Sequence, residues 1–148
     1  GRATHATWAG EHHRVKDARN LPKPIQETGM PIMVGGNGPK VTWRLAARFA
    51  DELNLDWLTP DEIAEAKPVI ASRCEEIGRD PATLRLSVNI SRYELKDAGP
   101  MRVELLAAYR EVGVDRVMGL LTDSAVSDEP LESLAVDARA AGCRLAAG

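Results

Sequence analysis

From Pro31 onward the chain repeats one pattern four times: a short apolar or alternating run, a turn signal, then an amphipathic stretch. Pro31-Ile32-Met33-Val34 is a continuous apolar run, and it predicts a strand over Pro31–Gly35 buried on both faces. Val41, Leu45, Phe49 and Leu53 recur at i, i+4 spacing and predict a helix over Lys40–Glu52 with these residues on its inner face. A second strand follows at Leu53–Trp57. Thr59-Pro60-Asp61-Glu62 carries a capping residue, a first-turn proline and the acidic partner of a capping box. The helix it opens shows a stripe of Ile63, Ala66, Ile70, Cys74 and Ile77 and stops at Gly78. Pro68 inside it predicts a kink or an early break. Leu86, Val88 and Ile90 alternate with Ser87, Asn89 and Ser91, so the third strand, Leu84–Ser91, has one polar face. A helix over Pro100–Val112, a strand over Arg116–Leu121 and a helix over Pro130–Ala141 complete the series, with Gly113 and Gly142 as stops. Ahead of it, Ala6–Gly10 and His12–Ala18 predict a hairpin, and Asn20–Gln26, with Pro22 and Pro24, an extended linker.

Alternating strands and helices predict a parallel sheet with right-handed crossovers. A complete (β/α)₈ barrel needs about 250 residues. Four β–α units in 148 residues therefore make half of one, or an open doubly wound sheet. The whole chain, 1–148, reads as a single partial domain: hairpin and linker over 1–26, then four β–α units over 31–148.

Gly35-Gly36-Asn37-Gly38 changes the picture from fold to chemistry. It lies at the carboxyl end of a predicted parallel strand, where α/β folds keep their ligands. Glycine backbone accepts positive φ and lets a ligand approach closely. Pro39 suits the first turn of the following helix, whose unpaired N–H groups attract phosphate. The turn is no Walker A loop, since no Gly-Lys-Ser/Thr follows. A tight βα turn with glycine for sterics alone is the competing explanation.

Composition adds mainly exclusions. Apolar residues are 44%, charged residues 28%, and the net charge is −3 with both signs interspersed. No basic stripe suggests nucleic acid, and no apolar run of about 18 residues suggests a membrane span. Two cysteines far apart, Cys74 on a helix stripe, read as reduced thiols in a cytoplasmic protein. His5, His12 and His13 have no carboxylate or cysteine at ligand spacing, so no metal site is expected. Trp43 and Trp57 read as core. Asn54, Asp56, Asn89 and Ser91 lie near carboxyl strand ends, on the rim where a barrel keeps its chemistry.

An ordered series of segments resembles the luciferase-like monooxygenase family, with its flavin- and deazaflavin-dependent oxidoreductases. The series runs Trp8-Ala9-Gly10-Glu11-His12-His13-Arg14-Val15, Leu21–Gln26, Pro31–Gly38, Arg44–Asp51, Cys74–Pro81 and Gly113–Val117. The resemblance covers nearly the whole chain. It implies the C-terminal half of a TIM-like barrel, strands five to eight with their helices. The cofactor it implies is coenzyme F-420, preferred over FMN, with its phosphate against Val34, Gly35, Gly36, Asn37 and Gly38 and Thr42 as hydroxyl donor. It implies oxidoreduction of a small organic substrate, by hydride transfer or oxygen activation, with no catalytic residue assigned. Expected partners are a missing N-terminal half-barrel or a second copy, within a homo-oligomer. A non-catalytic half-barrel acting as a binding or assembly module is the alternative, and a flavodoxin-like sheet ranks below both.

Overall fold

Residues 4–19, 21–23, 25–27, 29–90, 95 and 97–145 are described by the computed structural model, so Ser91 lies outside the described residues. Two units emerge, residues 1–31 and 32–148. In the first, β1 (His5–Ala9) pairs antiparallel with β2 (Arg14–Arg19), and the Gly10 N–H closes the turn on the His13 carbonyl at 2.9 Å. The ladder is irregular between Ala6 and Trp8. There the Asp17 N–H turns to the Thr7 hydroxyl at 3.0 Å, with Asp17 at φ 52°. Every residue of its two strands is exposed.

In the second unit β3 (Met33–Gly35), β4 (Glu52–Asp56), β5 (Arg85–Asn89) and β6 (Arg116–Met118) form one parallel sheet in that order. Between and after them run α1 (Thr42–Phe49), α2 (Pro60–Glu75), α3 (Pro100–Glu111) and α4 (Glu129–Ala140). The register sets Val34 beside Leu53, Leu53 beside Leu86, Leu55 beside Val88, and Val88 beside Val117. These residues make one apolar face, and they pack with Ile63, Ile70, Leu106 and Tyr109 from the helices. Successive strand residues point to opposite faces, so the other face carries Glu52, Asn54, Asp56, Arg85, Ser87, Asn89 and Arg116. The fold is α/β, with a parallel four-stranded sheet and a two-stranded hairpin.

The first β–α unit departs from its expected bounds. β3 loses Pro31 and Ile32 because Asp51 captures that backbone: its carboxylate accepts from the Ile32 N–H at 2.7 Å, and its own N–H donates to the Ile32 carbonyl at 2.8 Å. α1 is shorter at both ends and turned over. Val41, Leu45 and Phe49 are exposed by 65, 47 and 57%, while Trp43, Ala46, Ala47 and Ala50 are buried. Alanine lets a helix lie close to its neighbours, and Trp43 supplies the bulk that the expected stripe would have supplied. The stripe on α2 is buried from Ile63 to Cys74, with Ile77 exposed beyond the helix end.

Pro68 does not break α2, which continues to Glu75. Proline leaves the carbonyl four residues back without a donor. Here Ala64 and Pro68 both lie on the exposed side of the helix, where solvent can satisfy a freed carbonyl. The capping box is complete: the Thr59 N–H donates to Glu62 Oε2 at 2.8 Å, and the Glu62 N–H donates to the Thr59 hydroxyl at 3.3 Å. Thr59→Ala should lower stability by about 1 kcal/mol, read by urea denaturation. A change within experimental error would show that α2 is held by packing alone.

Candidate functional site

The turn joining β3 to α1 is pinned from three directions. The Gly36 N–H continues the ladder to the Asn54 carbonyl at 2.9 Å, and Gly36 then takes φ 125°, which a side chain would strain. The Trp43 indole N–H donates to the Gly36 carbonyl at 3.1 Å, and the Trp43 backbone N–H to the Gly38 carbonyl at 3.0 Å. Asn37 imitates a strand: its amide donates to the Asp56 carbonyl at 2.7 Å and accepts from the Asp56 N–H at 2.9 Å. That spends the Asn37 side chain on the end of β4, leaving its backbone for a ligand.

Among the described residues, no intrachain acceptor takes the N–H groups of Asn37, Gly38, Lys40 or Val41. They cluster at the start of α1, where the helix also presents its positive dipole end. A Cβ on Gly38 would come within 3.0 Å of the Thr42 hydroxyl, and one on Gly36 within 3.4 Å of the Thr42 methyl. The glycines therefore keep open a small space beside a hydroxyl and a group of free amides. This donor set suits an oxyanion. Of the residues singled out in the sequence, Gly35, Gly36, Asn37, Gly38 and Thr42 meet at this turn. Val34 immediately precedes them and packs its side chain on the core.

The rim residues of the neighbouring strands form rows on the polar face. Asn54 donates to the Ser87 hydroxyl at 2.9 Å, one row in from the carboxyl end. Asn89 reaches the Asp56 carboxylate at 3.5 Å in the last row. Trp57 follows at φ 59°. Farther along, a cavity of about 260 Å³ lies where β6 leads into α4, lined by Leu121, Thr122, Asp123, Glu129 and Ser133. Its two carboxylates repel phosphate, so the glycine turn remains the better anion site.

Other chemistry is sparse. No three His, Cys, Asp or Glu among the described residues gather as a metal site would require. His5 lies 4.0 Å from Asp17, and His12 and His13 are exposed at the hairpin turn. Both cysteines are free, and burial raises the pKa of the Cys74 thiol. No helix among the described residues is long and apolar enough to cross a membrane.

Sequence reasoning missed Arg79 and Arg102, which hold the helices in place, and Glu52, which is buried with two arginines beside it. Each has a partner about 30 residues or more away, which no local spacing reveals. The helical spacing places Glu52 at the end of a helix, whereas it opens β4.

Two solved structures share the fold. An F-420-dependent secondary alcohol dehydrogenase, determined with an F-420-acetone adduct, matches with TM-score 0.52 and 24% identity over 72% of this chain and 31% of its own. The coenzyme F-420-dependent tetrahydromethanopterin reductase of Methanopyrus kandleri matches with TM-score 0.52 and 17% identity over 95% of this chain and 42% of its own. The chain thus spans less than half the length of either structure. No curated protein sequence matches it. The profile of the luciferase-like monooxygenase family matches residues 2–136, nearly the whole length, and the chain belongs to that family.

Proposed function

We propose that this chain is the C-terminal half of a luciferase-like (β/α)₈ barrel, and that its Gly35–Thr42 turn holds the phosphate of a flavin-type cofactor. Coenzyme F-420 is the preferred cofactor and FMN the second choice. The observation that carries the reading is the group of free amides at Asn37, Gly38, Lys40 and Val41, held in place by Trp43 and Asn37. Such a cofactor would supply the hydride chemistry. The protein's part is to fix the phosphate through those amides and the Thr42 hydroxyl. Asn54, Asp56, Ser87 and Asn89 hold the sheet rows next to the turn in register. The substrate class is a small organic molecule, as in the two F-420-dependent enzymes that share the fold.

Gly38→Val would crowd the Thr42 hydroxyl, 3.0 Å from the added Cβ, and fill the space beside it. Thr42→Val removes only the hydroxyl. In fluorescence titrations on the closed barrel, Gly38→Val should weaken F-420 binding at least about ten-fold, the effect of a lost charge-assisted contact. Thr42→Val should weaken it less, with unchanged circular dichroism in both. Equal affinity in the wild type and Gly38→Val would overturn the assignment. A non-catalytic assembly module is the competing reading, favoured by the exposed Val41, Leu45 and Phe49. Such a module would bind no F-420 in any of the three forms.

A further inference from the structure

Two of the free amides at the glycine turn belong to peptides whose carbonyls are held from behind. A trans peptide points its C=O and its N–H in opposite directions. The Gly36 carbonyl and the Asn37 N–H share one such plane, and the Trp43 indole holds that carbonyl at 3.1 Å. The Pro39 carbonyl and the Lys40 N–H share another. Its holder comes from outside the turn. Arg73, in the last turn of α2, donates Nε to the Pro39 carbonyl at 3.1 Å. The Arg73 side chain is mostly buried, at 19% exposure, and its Nη1 pairs with Glu76. Glu76 in turn lies 3.3 Å from Nε of Arg44 on α1. The guanidinium is thus fixed against the end of its own helix while it grips the turn.

We propose that Arg73 is a positioning residue of the glycine turn: it fixes the Pro39–Lys40 peptide so that the Lys40 N–H faces away from α2 and joins the amides offered to the anion. The proposal rests on the phosphate reading of the turn and adds a residue that never touches the phosphate. The proline ring fixes φ at Pro39 but not ψ. That ψ rotates the plane of the Pro39–Lys40 peptide, so an outside donor on the carbonyl is what sets where the N–H points. An amide already aimed costs the ligand less ordering on binding. Trp43 does the same for Asn37, so the two peptides have separate holders on different helices.

NMR of the 148-residue chain tests this, with inorganic phosphate as the probe. Residual dipolar couplings report the direction of each N–H before any ligand is added. Arg73→Met should change the coupling of Lys40 and leave that of Asn37. It should also weaken phosphate binding about three- to ten-fold, the effect of one amide hydrogen bond, with the lost shift at Lys40. Arg73→Lys should restore part of both, because an ammonium still donates to a carbonyl. Glu76→Gln keeps the Arg73 Nε bond and should match the wild type. An unchanged Lys40 coupling in Arg73→Met would overturn the proposal, and so would a Glu76→Gln variant that reproduces the Arg73→Met change. A wild type without saturable phosphate shifts at these amides would overturn the phosphate reading alone, because the couplings would still decide whether Arg73 sets the peptide.

Discussion

Arg102→Ala should be the most damaging single substitution in residues 32–148, lowering stability by about 3–5 kcal/mol, the usual loss when one partner of a buried ion pair is removed. Its side chain is fully buried between α3 and α4. Nε and Nη2 meet Asp137 Oδ2 at 2.7 Å, Nη2 donates to the Ser133 hydroxyl at 2.6 Å, and Nη1 donates to the Leu95 carbonyl at 2.6 Å. Alanine would leave three oxygens short of a donor and a cavity between the helices. Arg102→Met separates these causes, because it restores volume without donors. If Met recovers most of the loss, packing dominates. If it stays near Ala, the hydrogen bonds do, and that is the expected result of urea denaturation at neutral pH. A loss under about 1 kcal/mol for Ala would contradict the buried-pair argument.

The same cluster sets an acid limit. The Gly99 N–H donates to Asp137 Oδ2 at 2.8 Å, and this bond, followed by Arg102, holds the Asp137 carboxyl below its ordinary pKa. A group whose folded pKa is depressed contributes stability that is complete above its unfolded pKa, about 3.9 for aspartate. That contribution disappears as pH falls through the folded value. The wild type should therefore lose stability below about pH 4 more steeply than Asp137→Asn, which has no proton to take up there.

Local rules made the elements legible in the sequence. The Thr59–Glu62 box, the glycine stops and the alternation of Leu86 and Val88 act within a few residues and appear as expected, while β5 ends at Asn89, short of Ile90. The parallel direction of the four strands also follows from the alternation, whereas their sequential order does not. The face of α1 was misread because a Val–Leu–Phe stripe outweighs a Trp–Ala stripe on any hydropathy count. Close approach favours the small residues, and nothing in the α1 sequence announces that approach. The glycine turn was legible at the carboxyl end of a parallel strand, whereas its supports were not. Trp43 reads as core, and its indole N–H toward Gly36 depends on how the turn folds back. Asn37 reads as a ligand contact, yet its amide is taken by Asp56, nineteen residues on. Side chains that close long-range hydrogen bonds leave no spacing to read.

Arg79 is the clearest case, and it carries the second large prediction. It follows Gly78, the expected stop of the second helix, and no spacing marks its side chain. Its Nη1 donates to the carbonyls of Ala47 at 2.9 Å and Ala50 at 2.8 Å, with Ala46 at 3.4 Å. Its Nη2 and Nε hold the Thr83 carbonyl at 3.0 Å and hydroxyl at 2.9 Å. Helix ends leave their last carbonyls without donors, and an eight-residue helix is too short to persist on its own propensity. One guanidinium thus caps α1 from outside and ties it to the start of β5. Arg79→Ala should lower stability by about 2–4 kcal/mol, a sum of charged hydrogen bonds each contributing about 1.5–3 and discounted for non-additivity. Arg79→Lys should recover only part, since an ammonium on a flexible stem cannot fork between two helix carbonyls and a threonine. The amide clustering at the other end of α1 depends on that helix holding its position. Phosphate-dependent binding at the glycine turn should therefore weaken in Arg79→Ala under conditions where the protein is still folded. A variant whose unfolding midpoint and F-420 affinity both match the wild type would show that α1 needs no outside cap.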